Sequence, residues 1–185
     1  MNYIPNIISG LRILLIPLFV YLILNNYYFY SLLLFIAMGS SDAIDGYIAR
    51  CYNCESTFGA YLDATADKLM IISSLYILCL MNVLPFYILT VVLIRDFIIL
   101  YGITIKSKVQ HDFKLKPIFI SKVNTFMQII LVIYCLLCLN NITEYKYVKD
   151  MINVVILTTI FSAVEYIYNF KNNNIHKNIR YSSNI

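Results

Sequence analysis

The chain has 185 residues, of which 61% are hydrophobic and 13% are charged, whereas a soluble domain carries about 25% charged residues. This composition argues against a soluble domain and indicates a membrane protein, and the length suggests one domain. The net charge is only +4 and the basic residues lie between apolar segments, so nucleic-acid binding is not expected.

Six apolar segments follow one another, at about residues 10–28, 31–49, 59–81, 84–105, 117–139 and 148–170. Each is close to the roughly 20 residues that a helix needs to cross a bilayer. Since lipid cannot satisfy an open sheet edge, we predict an all-α membrane protein of six transmembrane helices with a short N-terminal juxtamembrane segment. Residues 1–170 would form the membrane domain, and the polar residues 171–185 a frayed C-terminal tail.

Lysine and arginine are unequally divided between the two sides of these segments. Two of them, Lys146 and Lys149, would lie on one side. Eight would lie on the other: Arg50, Lys106, Lys108, Lys114, Lys116, Lys171, Lys177 and Arg180. Because basic residues are enriched in cytoplasmic loops, both termini are predicted to be cytoplasmic. No targeting extension precedes the first segment, so we expect a bacterial inner membrane.

Four aspartates lie in the second and third segments, within a stretch of 26 residues. Asp42 and Asp45 are spaced i, i+3, and Asp63 and Asp67 are spaced i, i+4, so each pair shares one helix face. The short linker between the pairs suggests that the two helices are antiparallel neighbours. Carboxylates at this depth are costly and repel one another, so they need cations. Ligands that are all oxygen favour Mg²⁺, Mn²⁺ or Ca²⁺, and two such ions would suit phosphate chemistry.

Other interpretations of the buried acids remain open at this point. Ion and proton transporters also carry intramembrane carboxylates, but these would be spread across the bilayer and accompanied by inverted repeats, which are not visible here. A structural scaffold would leave the acids without a purpose. Cys51 and Cys54 form a CxxC pair without the second pair or histidines that zinc would need, and Glu165 has no assigned role.

Residues 42–67 read Asp42-x2-Asp45-Gly46-x2-Ala49-Arg50-x8-Gly59-x3-Asp63-x3-Asp67. This string resembles the signature of the CDP-alcohol phosphatidyltransferases at every fixed residue and every gap. The resemblance implies a six-helix fold, usually a homodimer, with a cavity that faces the cytoplasm. It also implies that a phosphatidyl group is transferred from CDP-diacylglycerol to an alcohol and that CMP is released.

The same resemblance implies roles for individual residues. Two divalent cations, Mg²⁺ or Mn²⁺, would be bound by Asp42, Asp45, Asp63 and Asp67. Asp67 would also accept the proton of the attacking hydroxyl. CDP would be bound by Asp45, Gly46, Ala49, Arg50 and Gly59.

Further resemblances bear on the acceptor. Residues 4–12 are similar to the glycerophospholipid-making branch of the family, and Arg95-Asp96 and residues 115–125 look like its CMP-forming cardiolipin synthases. Phosphatidylglycerophosphate synthases more often carry Arg-Glu and Gly-Lys-x-Lys-Thr at these places. Phosphatidylglycerol is therefore the expected acceptor, and glycerol 3-phosphate is the alternative. In either case the acceptor phosphate would be bound by basic residues, which are Arg12, Arg95, Lys116 and Lys122.

Overall fold

The structure is a computed structural model that describes residues 4–52, 57–109 and 119–182, with side chains over 10–41, 63, 65–102 and 119–169. These ranges contain helices and no strand, which confirms the all-α prediction. The long helices are α1 (Ile4–Leu24), α2 (Tyr28–Tyr52), α3 (Thr57–Leu80), α4 (Phe86–Val109), α5 (Phe119–Leu139) and α6 (Val148–Ser182), and a short 3₁₀ helix, Tyr145–Tyr147, precedes α6.

Each predicted apolar segment corresponds to one long helix. The structure continues α6 to Ser182, past residue 171, and the fraying expected of that tail stays a prediction. The reason for the continuation is visible in the sequence of α6, which contains neither proline nor glycine and so has no residue that would end the helix.

Asparagines in the left-handed conformation end three of the helices. Asn26, Asn82 and Asn141 have φ angles of 62°, 58° and 57°. After the first of them, the N–H of Tyr27 donates to the carbonyl of Leu22 at 2.8 Å, and the equivalent bond recurs after the other two. These bonds satisfy carbonyls that the helix end leaves without a partner. Asparagine tolerates a positive φ better than most residues, which explains why it occupies all three turns.

The helices group into two compact units, which are described separately. The first comprises Met1–Phe86 and Ile129–Val148, and the second Tyr87–Gln128 and Lys149–Ile185. In the first unit α1 packs against both α2 and α3. Phe19 of α1 lies 5.7 Å from Phe35 of α2, measured between ring centroids. A Cβ added at Gly39 of α2 would lie 4.0 Å from Met70 of α3, so α2 and α3 are neighbours, as predicted.

Both units carry large apolar side chains on the outside and charged side chains inside. Leu14 in the first unit and Phe97 in the second are 74% and 68% exposed. Arg12 and Arg95, in the same two helices, are 1% and 5% exposed. A protein in water would favour the reverse arrangement, whereas a protein in lipid turns ionisable groups inward.

Two helical stretches among the described residues are long and apolar enough to cross a membrane, Phe119–Leu139 and Tyr145–Asn169. Shorter apolar stretches lie at Gly10–Leu24 and Tyr28–Ser41. The sequences of α3 and α4 are apolar with a few charged residues. The described residues thus form six long helices, while six membrane crossings stay a prediction.

Candidate active site

Asp63 and Asp67 lie one turn apart on α3 and both contact Arg12 of α1. Arg12 Nη1 donates to Asp63 Oδ1 at 3.3 Å and also donates to Asp67 Oδ1. The arginine side chain is buried, at 1% exposure, while each carboxylate is 35% exposed. The prediction that the two aspartates share one helix face is confirmed, since both reach the same nitrogen. Packing of α1 on α3 places Arg12 there, and a buried guanidinium needs such partners.

Two carboxylate oxygens therefore converge on one position that a cation occupies. Hard divalent ions such as Mg²⁺ and Mn²⁺ bind oxygen ligands of this kind. The described part of the site fits the metal that the sequence implies, because Asp63 and Asp67 present oxygen atoms toward a single positive charge. Arg12 holds that charge in this structure.

The remaining residues of the signature lie on the last turns of α2 and the first turn of α3. Their backbone is helical, but their side chains are outside the described residues, and so the proposed metal and CDP contacts stay predictions. They are Asp42, Asp45, Gly46, Ala49, Arg50 and Gly59. Within the side chains that are described, no three His, Cys, Asp or Glu residues group as a metal site.

Arg95 of α4, in the second unit, is held by three side chains. Its Nη1 donates to Asp96 Oδ1 at 2.7 Å, which forms an ion pair between adjacent residues. Its Nε and Nη2 donate to Ser162 Oγ of α6 at 3.2 and 2.7 Å. Nη2 also donates to Ser121 Oγ of α5. Four of the five N–H groups of the guanidinium are thus engaged, and α4, α5 and α6 are joined at one point.

A second polar contact joins α5 and α6, about one turn farther along α5 and one turn earlier along α6. Asn124 Oδ1 accepts hydrogen bonds from Thr158 Oγ1 at 3.0 Å and from Thr159 Oγ1 at 2.8 Å. Asn124 is completely buried, and Thr159 is nearly so. Gln128, one turn beyond Asn124, is buried as well. Buried amides in an apolar helix are costly unless they are hydrogen-bonded. The side-chain nitrogens of Asn124 and Gln128 have no such partner among the described residues.

The other predicted acceptor residues are placed differently. Lys122, near the start of α5, is exposed. Lys116 lies outside the described residues. Arg12 belongs to the first unit, and Arg95 and Lys122 belong to the second. The expected convergence of the four basic residues is therefore still a prediction.

The sequence does not predict which residues pair with one another in the site. The ion pairs of Arg12 join residues 51 and 55 positions apart, and the partners of Arg95 on α5 and α6 are 26 and 67 positions away. An arginine interrupting an apolar segment was the available signal for the first. Ser162, Thr158 and Thr159 gave no signal, because hydroxyl residues are common in membrane helices.

Comparison with known proteins gives a family for this arrangement. A family model described as CDP-alcohol phosphatidyltransferase matches residues 2–164. The chain is 32% identical over 181 residues to the CDP-diacylglycerol--glycerol-3-phosphate 3-phosphatidyltransferase 1, chloroplastic, of Oryza sativa subsp. japonica, over 88% of this chain and 55% of that protein. It is 34% identical over 181 residues to the cardiolipin synthase (CMP-forming) of Rattus norvegicus, over 88% of this chain and 60% of that protein.

A further relative is similar over most of both chains. The CDP-diacylglycerol--glycerol-3-phosphate 3-phosphatidyltransferase of Blochmanniella floridana is 30% identical over 173 residues, which is 89% of each protein. The chain spans 55% and 60% of the length of the rice and rat relatives. Relatives of two different names therefore match at similar identity.

Proposed function

This chain belongs to the CDP-alcohol phosphatidyltransferase family, and we propose that it transfers a phosphatidyl group from CDP-diacylglycerol to phosphatidylglycerol, giving cardiolipin and CMP. The observation that carries the transferase chemistry is the convergence of Asp63 and Asp67 on one cationic position. Family membership also favours a transferase over an ion or proton transporter.

We propose that Asp63 and Asp67, with Asp42 and Asp45, bind two Mg²⁺ or Mn²⁺ ions. When bound, the ions would neutralise charge on the diphosphate. In the structure described, Arg12 balances the charge of Asp63 and Asp67, which their spacing places on one face of α3.

The reaction then needs one proton acceptor from the protein. The acceptor hydroxyl oxygen forms a bond to the β-phosphorus of CDP-diacylglycerol, and the bond from that phosphorus to the bridging oxygen breaks, so that CMP leaves. The hydroxyl proton passes to the Asp67 carboxylate. Asp67 is suited to this because its carboxylate is 35% exposed, so that an acceptor hydroxyl can reach it. The contacts of CDP with Asp45, Gly46, Ala49, Arg50 and Gly59 remain part of the proposal.

We propose that Arg95 binds the phosphate of the acceptor. One N–H on its Nη1 has no partner among the described residues. The hydroxyl oxygens of Ser121 and Ser162 both accept hydrogen bonds from Arg95. Their hydroxyl hydrogens have no acceptor among the described residues. Counting the described residues only, three hydrogens without an acceptor lie around a buried positive charge, which is an environment suited to an anionic oxygen.

The same network supports phosphatidylglycerol as the acceptor. Asp96, Ser121 and Asn124 lie where the sequence resembles the cardiolipin synthases, and each has a specific role in the second unit. Ser121 stands where the Gly-Lys-x-Lys-Thr pattern of the phosphatidylglycerophosphate synthases has glycine, and it bonds to Arg95 through a hydroxyl that glycine lacks. Asn124 stands where the same pattern has its second lysine. It accepts two hydrogen bonds, which lysine cannot do because its side chain has no acceptor.

Glycerol 3-phosphate is the second candidate acceptor, and the product would be phosphatidylglycerophosphate. The rice and Blochmanniella floridana relatives carry the name of that activity. Both acceptors bring a phosphate, so binding to Arg95 suits either.

One assay decides between the two. The protein is purified in detergent with Mn²⁺ and CDP-diacylglycerol and is offered each acceptor separately, and CMP and the lipid product are measured. Cardiolipin formed only with phosphatidylglycerol is the expected result. Phosphatidylglycerophosphate formed only with glycerol 3-phosphate would overturn the proposed acceptor, and no CMP with either would overturn the proposed reaction. Crosslinking of the protein in membranes, before purification, tests the homodimer that the family resemblance implies.

A further inference from the structure

Two buried amides on one face of α5 are not explained by packing between helices. Asn124 is 0% exposed and Gln128 is 4% exposed. The spacing of four residues places them one turn apart on the same face as Ser121. Asparagine and glutamine each carry one oxygen acceptor and one NH₂ donor group, and when buried both groups need hydrogen-bond partners.

Among the described residues, the side-chain oxygen of Asn124 is hydrogen-bonded and its side-chain nitrogen is not. The hydroxyls of Thr158 and Thr159 donate to its oxygen, and each shares its single hydrogen with the backbone oxygen of Val155. Its nitrogen Nδ2 is buried and has no hydrogen-bond partner among the described residues. Gln128 Nε2 is in the same condition. Two NH₂ groups are therefore buried, one turn apart, with no acceptor in the part of the chain that the structure describes.

The position of these groups along α5 points to what they bind. Ser121, which contacts Arg95, comes first; Asn124 follows at about 4.5 Å along the helix axis, and Gln128 at about 10 Å. Since α5 begins at Phe119, the order runs from the end of an apolar helix toward its middle. In a phospholipid the ester carbonyls likewise lie deeper in the bilayer than the phosphate. Ester oxygens accept hydrogen bonds and donate none, which matches two unpartnered donors.

We propose that Asn124 and Gln128 form a subsite for the ester carbonyls of the acceptor lipid, and that Thr158 and Thr159 are positioning residues that turn the Asn124 NH₂ group toward it. This deepens the proposed function and rests on it, since Arg95 is taken to bind the acceptor phosphate. The subsite favours phosphatidylglycerol over glycerol 3-phosphate, because glycerol 3-phosphate has no ester groups.

Gln128→Leu is the sharpest test, since leucine has a similar size and no amide. If Gln128 were only structural, removing an unpartnered buried amide would be neutral or stabilising and would leave substrate kinetics unchanged. If it binds an ester, the KM for phosphatidylglycerol, measured as mole fraction in mixed micelles, rises roughly three- to tenfold. The KM for CDP-diacylglycerol and the unfolding temperature stay as in the wild type. Thr125→Val is the matched control, because the Thr125 hydroxyl is already bonded to the Ser121 backbone oxygen.

An ether-linked phosphatidylglycerol, which lacks the carbonyls, identifies the oxygen involved. The wild type should bind it several-fold more weakly than the ester form, while Gln128→Leu should treat the two forms more nearly alike. If Gln128→Leu does not fold, Thr159→Val should raise the same KM and Thr159→Ser should restore it.

A Gln128→Leu variant whose KM for phosphatidylglycerol is unchanged overturns the proposal. So does one whose KM values for phosphatidylglycerol and for CDP-diacylglycerol rise equally. So does a wild type that does not distinguish ether from ester. These failures differ from a failure of the proposed function, which is seen in the wild type alone as an absence of cardiolipin.

Discussion

Replacing Arg12 with methionine tests the view that this arginine occupies the position of a metal cation. Methionine keeps an apolar stem and removes the charge. The guanidinium is 1% exposed and contacts two carboxylates that are 35% exposed. Removing one partner of a fully buried ion pair costs about 3–5 kcal/mol. Because water reaches these carboxylates, we expect a lower value, about 2–3 kcal/mol, in the absence of metal.

A divalent ion would relieve the repulsion that the substitution creates between Asp63 and Asp67. The stability lost without metal should then reappear as tighter metal binding, since binding to the folded state and stability are linked. A difference of about 2–3 kcal/mol corresponds to roughly 30- to 150-fold in affinity. The unfolding temperature in EDTA should fall by about 4–12 °C, and saturating Mn²⁺ should restore most of that loss.

The measurement is thermal unfolding in detergent across a Mn²⁺ titration, with free Mn²⁺ followed by electron paramagnetic resonance. Arg95→Met is the control, because Arg95 pairs with Asp96 and its described contacts include neither Asp63 nor Asp67. It should lower stability without tightening Mn²⁺ binding. An Arg12→Met variant as stable as the wild type in EDTA, or one that binds Mn²⁺ more weakly, would refute the reasoning.

Four further outcomes follow from the site and its surroundings. Asp67→Asn removes the proton acceptor at constant shape, so CMP release should fall by about 10²- to 10⁴-fold while helix content by circular dichroism is retained; near-normal release would show that another group takes the proton. Chelation of divalent ions should stop CMP release, and added Mg²⁺ or Mn²⁺ should restore it; full activity in EDTA would contradict the metal proposal. Ser162→Ala removes two bonds from Arg95 and should cost about 1–3 kcal/mol of stability, read as a lower unfolding temperature, with Ser162→Thr as the retained-hydroxyl control. Gly102→Ala would bring a Cβ to 2.5 Å from the Tyr166 hydroxyl and 2.6 Å from its ring, so it should destabilise by about 1–3 kcal/mol; an unchanged unfolding temperature would mean that the ring moves freely.

The shared helix face of Asp63 and Asp67 was predictable because it depends on local spacing. Asp63 and Asp67 had to share a helix face once α3 was recognised as a helix, since a separation of four residues is close to one turn. The helices themselves followed from apolar segments of the right length. The fraying expected from residue 171 stays a prediction, although no proline or glycine interrupts α6.

The sequence by itself determined the helices, the pairing of aspartates on one face and the family signature, because each rests on spacing along one stretch of chain. Only the tertiary structure decided which groups meet: Arg12 with two aspartates of α3, Arg95 with serines of α5 and α6, and Asn124 with two threonines of α6. The physical reason is that a buried charge or amide must be hydrogen-bonded, but its partner is set by how helices distant in sequence pack.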